Sequence, residues 1–180
     1  MSPPAWTPAY IGLGSNLQDP ARQLDLGVAA LRGLPQTRLV AVSGYYRNPP
    51  FGPVAQPDFI NAVAGLLTQL PPGELLAMLK AIERRHGREP GAGPRWGPRV
   101  LDLDLLVHGT QRLAQPGLEL PHPGIAERNF VLFPLLEIAP WLIVPGLGPV
   151  GGLAGRVDAQ GLQRLDGADH PAHLPTRPDT

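Results

Sequence analysis

RWGPRVLDLDLLV, residues 95–107, is the stretch that decides the fold. From Arg99 to Val107 it alternates: Leu101, Leu103, Leu105 and Val107 fall on one side, and Asp102, Asp104 and Leu106 on the other. That is the period-two pattern of a strand laid on a core. Aspartates at i and i+2 of a strand carry their carboxylates on one face, roughly 6.5–7 Å apart. Two divalent cations about 3.5–4 Å apart fit between such carboxylates as a clamp on a polyphosphate. A strand with one solvated face shows the same alternation, so the surroundings must decide between the two readings.

Upstream, residues 9–13 are a short apolar strand that runs into Gly14, Ser15 and Asn16 as a turn. Asp19 then suits an N-cap with Pro20 at the first helical position; Leu24, Val28 and Leu31 recur at helical spacing until Gly33. Residues 38–46 favour a second strand, and the Pro- and Gly-rich residues 48–57 a long connection. Residues 59–67 read as a third strand. Pro71, Pro72 and Gly73 introduce a helix with Leu75, Leu79 and Ile82 on one face, stopped by Gly87. Residues 88–98, with three prolines and three glycines, should form an exposed, mobile loop.

The order strand, helix, strand, strand, helix, strand is that of an α+β, ferredoxin-like βαββαβ sandwich, here with an additional C-terminal helix and strands. The extra helix runs over residues 129–138, with Pro134 expected to kink or restart it. Residues 1–167 then make a single domain, and residues 168–180, polar and without periodicity, a disordered tail.

The chain has 180 residues, with 22 Gly and 24 Pro, and 15 basic residues balance 15 acidic ones. Zero net charge removes the electrostatic footprint needed for sequence-independent binding to nucleic acid or an anionic membrane. With no cysteine, disulfides and thiolate metal sites are excluded. The N-terminus lacks the basic and apolar regions of a signal peptide, and the greasy residues 130–146 are broken by Glu137 and three prolines, too short for a comfortable membrane span. The expectation is a cytoplasmic monomer with small-molecule substrates.

Several side chains add chemistry to the two aspartates. Arg88, Arg95 and Arg99 bracket the loop before the strand, where guanidinium forks can grip phosphate oxygens and a Gly-rich segment can close over them. Surface ion pairs with Glu83, Glu89 and the aspartates are the competing account of these arginines. His122 can donate to a phosphate or bridging oxygen, and Arg128 adds a fixed charge. Phe59 and Asn61, at i and i+2, put a ring and an amide on one side of their strand, with Phe130 as a second stacking surface for a flat, hydrogen-bonding heterocycle. Gly12 and Gly14 do not complete a dinucleotide fingerprint, since position 17 is leucine; there is no GK[ST], HExxH or GxSxG.

GLGSNL, YYRNPPFG, QPDFINAV, HGR, RWGPRVLDLDLLV, LPHP and RNFVLFPLLEIAP, in that order over residues 9–140, together resemble the 6-hydroxymethyl-7,8-dihydropterin pyrophosphokinases of folate biosynthesis. The resemblance implies a magnesium-dependent transferase that moves the terminal diphosphate of ATP onto the pterin hydroxymethyl group and releases AMP. Asp102 and Asp104 would hold two Mg2+ ions. Arg88 and Arg99 would serve catalysis, and Glu83, Arg88, Arg95, Trp96, Arg99, His122 and Arg128 would bind ATP. Asn48, Pro49, Phe51, Gly52, Phe59, Asn61, Trp96 and Phe130 would bind the pterin. Pro90, where many relatives carry arginine, and Asn48, where threonine is frequent, depart from the family pattern and bear on loop closure. The rival readings are a metal-dependent phosphohydrolase, which needs no aromatic clamp, and a non-catalytic ferredoxin-like module binding RNA or protein, which zero net charge and the lack of an RNP-type strand disfavour.

Overall fold

The computed structural model describes residues 4–88, 91, 93–94 and 96–165. The tail at 168–180, Arg95, Glu89 and Pro90 lie outside the described residues. The fold is α+β. Its elements run β1 (Thr7–Ser15), α1 (Pro20–Arg32), β2 (Thr37–Val42), β3 (Tyr45–Asn48), β4 (Phe59–Thr68), α2 (Pro72–Arg85), β5 (Asp102–His108), β6 (Leu113–Gln115) and β7 (Leu118–Leu120). They continue with α3 (Asn129–Ile138), β8 (Ile143–Val144), β9 (Gly148–Pro149), α4 (Val150–Ala154) and β10 (Gln163–Leu165).

The main sheet has the order β10-β3-β4-β1-β5, with β2 also paired to β4. Its pairings are antiparallel. One face is covered by α1 and α2 through Leu24, Leu31, Leu75, Leu79 and Ile82, packed on Ile11, Leu13, Leu103 and Leu105. The other is covered in part by α3 and α4, whose Val131, Leu132, Leu135, Val150 and Leu153 pack with Tyr10, Val63 and Leu106. Helix α1 starts where the sequence indicates: the Asp19 carboxylate accepts from the Arg22 amide at 3.4 Å, and Pro20 is the first helical residue.

Four expectations need correction. The strand read over residues 38–46 is two strands, because the chain breaks at Ser43 and Gly44: the Ser43 amide still donates to the Val63 carbonyl (2.9 Å), but Gly44 turns away. The Ser43 hydroxyl accepts from the Val63 amide (2.9 Å), and the Gly44 amide turns to the Glu137 carboxylate (2.9 Å). Residues 14 and 15 belong to β1 rather than to a turn. The alternation of β5 fails at its end: Ile11 pairs with Leu105 but Tyr10 with Val107, a bulge that puts Leu106 and Val107 together in the α3 core. Finally, α3 does not restart at Pro134 but runs on through it.

Glu137 clamps α3 to the sheet edge. Its carboxylate accepts from Gly44 N (2.9 Å), Tyr46 Oη (2.5 Å) and Arg164 Nη2 (3.1 Å), tying β3 and β10 to the helix. Partial burial opposes its charge, but bonds from Arg164, Tyr46 and the Gly44 amide outweigh this and hold the carboxyl below its ordinary range. Its stabilising effect is therefore present above the unfolded carboxylate pKa, about 4.3, and is lost as pH falls through the lower folded value. Glu137→Gln should lower stability at about pH 7 by about 1–3 kcal/mol in urea unfolding, and the gap to wild type should shrink below about pH 4. A gap unchanged in acid would contradict this account.

Candidate active site

The α3-facing side of the sheet is core at one end and cleft at the other. Register explains the change. Gly14 lies between Asn61 on β4 and Asp102 on β5, and Gly12 lies between Val63 and Asp104. Two glycines at i and i+2 strip β1 of side chains on this face, leaving a bare floor between an amide wall and a carboxylate wall. The fit is close: a Cβ on Gly14 would stand 2.7 Å from Asn61 Oδ1. The glycines that fail as a dinucleotide fingerprint thus have a different role, and their strand spacing was the signal for it.

Of the candidate residues, Asn48, Phe51, Phe59, Asn61, Arg88, Trp96, Arg99, Asp102, Asp104, Arg128 and Phe130 line this one cleft. On the amide side, Asn61 Nδ2 donates to Asn48 Oδ1, and Asn48 Nδ2 donates to the Pro49 carbonyl at 3.0 Å. This chain locks both amides in fixed orientations. The Phe51 and Trp96 rings lie 5.3 Å apart, tilted by 52°, and the Arg128 guanidinium stands 5.8 Å from the Trp96 ring and 5.9 Å from the Phe130 ring. Trp96 is held at the mouth by Gln56, which donates to its carbonyl at 2.6 Å, and sits at φ +69°, a backbone state that strains a bulky residue by about 1–3 kcal/mol. Asn16 pins the next segment: its backbone amide donates to the Arg99 carbonyl (3.0 Å), its side-chain Oδ1 accepts from the Arg99 amide (2.8 Å) and its Nδ2 donates to Gln56 (3.0 Å). Asn16 and Gln56 were not among the candidates; only the fold brings them to this loop.

The carboxylate side is crowded. The side chains of Asp102 and Asp104 keep 31 % and 30 % of their surface. Arg88 bonds Asp102 and Glu83, the latter at 2.8 Å. Desolvation and the charge of Asp102 hold Asp104 above the ordinary carboxylate range, against the pull of Lys80 and Arg128. The oxygen donors of this corner, two carboxylate groups facing an open cleft, suit Mg2+, which takes one or two carboxylates and completes its shell with water and phosphate oxygens.

His122, Glu83, Pro49 and Gly52 are placed differently. His122 lies across Asp104 from the cleft, in a slot lined by Leu76, Lys80, Leu105, Leu118 and Glu119, and its Nε2 is 3.9 Å from Asp104 Oδ2. Its Nδ1 accepts from the Gly124 amide at 3.0 Å. Burial and the charge of Arg128 lower its pKa to about 4, so the ring is neutral near pH 7 with its proton on Nε2, the atom beside Asp104. Glu83 is 2 % exposed beneath the site. It accepts from Leu103 N at 2.7 Å, between the two aspartates, and pairs with Lys80 at 3.2 Å and Arg88. Its bonds therefore support the strand rather than reach the cleft. Pro49 lines a neighbouring cleft, and Gly52 lies behind Trp96.

The family model of 7,8-dihydro-6-hydroxymethylpterin-pyrophosphokinase (HPPK) matches residues 10–140. A Pseudomonas aeruginosa 2-amino-4-hydroxy-6-hydroxymethyldihydropteridine pyrophosphokinase is 46 % identical over 159 residues, 88 % of this chain and 97 % of that one. The Methylorubrum extorquens protein of the same name is 42 % identical over 160 residues, 89 % of this chain and 99 % of that one. Among solved structures, a Plasmodium falciparum HPPK-DHPS variant crystallised with pterin and p-hydroxybenzoate superposes with a TM-score of 0.68 at 12 % identity, covering 89 % of this chain. This chain spans 47 % of that longer protein, and the likeness bears on the fold alone.

Gly14→Ala should displace Asn61 and weaken binding of a dihydropterin by about tenfold or more, read by ligand fluorescence or calorimetry. Unchanged affinity would refute the bare-floor account.

Proposed function

The chain belongs to the 7,8-dihydro-6-hydroxymethylpterin-pyrophosphokinase family, and from that premise we propose how its side chains divide the work. It is an ATP-dependent pyrophosphokinase that transfers diphosphate to the hydroxymethyl group of 6-hydroxymethyl-7,8-dihydropterin, a step of folate biosynthesis; the binding-module reading falls away.

The observation that carries the division of labour is that Asp104 lines both the aromatic cleft and the slot beyond it. A nucleotide whose phosphates pass Asp104 can set its base and ribose in that slot, against Leu76, Leu105 and Leu118, and its outer phosphates in the cleft. The pterin then fits between Phe59 and Phe130, its polar edge on Asn61 and Asn48, with Phe51 and Trp96 closing the mouth. Residues 48–52, including Pro49 and Gly52, shape that mouth by their backbone.

Asp102 and Asp104 are the ligands we assign to metal, two Mg2+ ions shared with the phosphates. When bound, magnesium neutralises charge on the phosphate oxygens and polarises the phosphorus under attack. Arg88 and Arg99 supply fixed positive charge on the cleft side, and Arg128 with the Nε2–H of His122 does so near Asp104. The pterin oxygen forms a bond to the β-phosphorus and gives its proton to solvent water, the bond from the β-phosphorus to the α-phosphate oxygen breaks, and AMP departs. Positioning and charge stabilisation carry such a transfer, so no covalent nucleophile is required. Glu83 acts by holding Arg88 and β5 in place, and Arg95 is assigned to ATP on the motif alone. We place this activity in one domain, residues 1–167, working as a cytoplasmic monomer. No helix of the described residues is long and apolar enough to cross a membrane.

Incubated with ATP, magnesium and the pterin alcohol, the protein should yield AMP and the pterin diphosphate; ADP or free phosphate would point to the hydrolase reading. Asp102→Asn and Asp104→Asn should each lower kcat by about a thousandfold or more with the unfolding midpoint near wild type. Near-normal turnover in either would remove the metal role. Arg99→Ala should lower kcat while pterin affinity stays within about twofold of wild type.

A further inference from the structure

The family match ends at residue 140, yet the chain folds on past it and returns to the pterin end of the molecule. After α4 it crosses residues 157–161 and enters β10, which pairs with β3: Gln163 with Arg47, Arg164 with Tyr46 and Leu165 with Tyr45. The connection closes on itself, Leu162 N donating to Ala159 O at 3.0 Å and Gln160 N to Asp158 Oδ1 at 2.8 Å. It touches both walls of the cleft from behind. On one side, the Asn129 side chain, between the cleft residues Arg128 and Phe130, donates to the carbonyls of Asp158 (2.8 Å) and Gln160 (3.4 Å). On the other, Gly161 packs on the Pro49 ring so closely that a Cβ there would stand 3.1 Å from Pro49 Cδ, and its φ of +78° favours glycine in any case.

We propose that residues 157–161 are a positioning element for the pterin pocket, a strut that sets the separation between the α3 wall, with Arg128 and Phe130, and the wall of residues 48–51, with Asn48 and Phe51. None of its residues lines the pterin cleft; Val157, Asp158, Gln160 and Gly161 line the neighbouring one beside Pro49. Asn48 orients Asn61, and its amide is in turn tied to the Pro49 carbonyl, so a shift of Pro49 reaches the hydrogen-bonding edge of the pocket. Phe130, attached to Asn129, moves with the other end. The slot beyond Asp104 shares none of these contacts, and of the ATP residues only Arg128 sits on a wall the strut holds, so the strut acts on pterin affinity well before nucleotide affinity. This inference rests on the pterin reading above.

The test uses the full-length chain with Asn129→Ala, which removes both side-chain bonds, and Gly161→Ala, which wedges the strut against Pro49. Pterin affinity is measured with magnesium and a nonhydrolysable ATP analogue present, and analogue affinity is measured separately with magnesium alone. Each variant should weaken pterin binding by about fivefold or more and raise the pterin KM in step, with analogue affinity and kcat at saturation within about twofold of wild type. Asn129→Asp, which keeps the size but loses the amide donor, should behave like the alanine variant. Pterin affinity unchanged in both principal variants would overturn the proposal, as would equal loss of both affinities, which marks general damage to the fold. Failure of the wild-type protein to bind pterin would instead overturn the functional reading.

Discussion

Three carboxylates, those of Glu83, Asp102 and Asp104, occupy one corner of this protein, and the surrounding structure holds them there among Lys80, Arg88 and Arg128. Glu83 is buried and held by the Leu103 amide, Lys80 and Arg88. Leu103 is the residue between the two aspartates, so the bond beneath the strand fixes the pair above it. Arg88 reaches over to Asp102, while Arg128 and His122 stand 4.0 and 3.9 Å from Asp104. Asp102 and Asp104 keep 31 % and 30 % of their side-chain surface, and carboxylate oxygens open to the cleft are what make the corner a place for magnesium and the phosphates it carries.

The opposite wall follows another rule. There the amides of Asn48 and Asn61 bond each other and the Pro49 backbone, so their remaining hydrogen-bonding capacity faces the cleft in a defined direction. Between the walls, Gly12 and Gly14 contribute only backbone. A pocket that must admit a flat ring beside a pair of acidic groups needs a strand with nothing on one face, and alternate glycines are the simplest way to build it.

The site was more legible than its supports. The alternation of residues 102–105, the aromatic and amide pair at 59 and 61, and the helix signals at Asp19, Pro20 and Gly33 are local, and the structure carries them over directly, although the strand read from Arg99 begins only at Asp102. Glu83 is expected at the nucleotide only through the family resemblance; in the structure it is buried and its bonds go to Leu103, Lys80 and Arg88. Asn16 and Gln56 stand inside the quoted motifs, but what they do was not legible there, since their partners lie 40 or more residues away: Asn16 with Gln56, Asn16 with Arg99 and Gln56 with Trp96.

By itself the sequence determined which residues alternate, where helices start, and which charged and aromatic groups stand close along the chain, because those properties depend on the geometry of one strand or one helix turn. Tertiary structure alone decided that β2 and β3 are separate strands, that the β5 alternation slips at Leu106, that Gly12 and Gly14 are a floor, and that the Gly-rich stretch beyond residue 145 returns as β10 beside β3. Each depends on what lies across a sheet or against a face, and a hydrogen bond between distant strands leaves no mark in the local pattern of either.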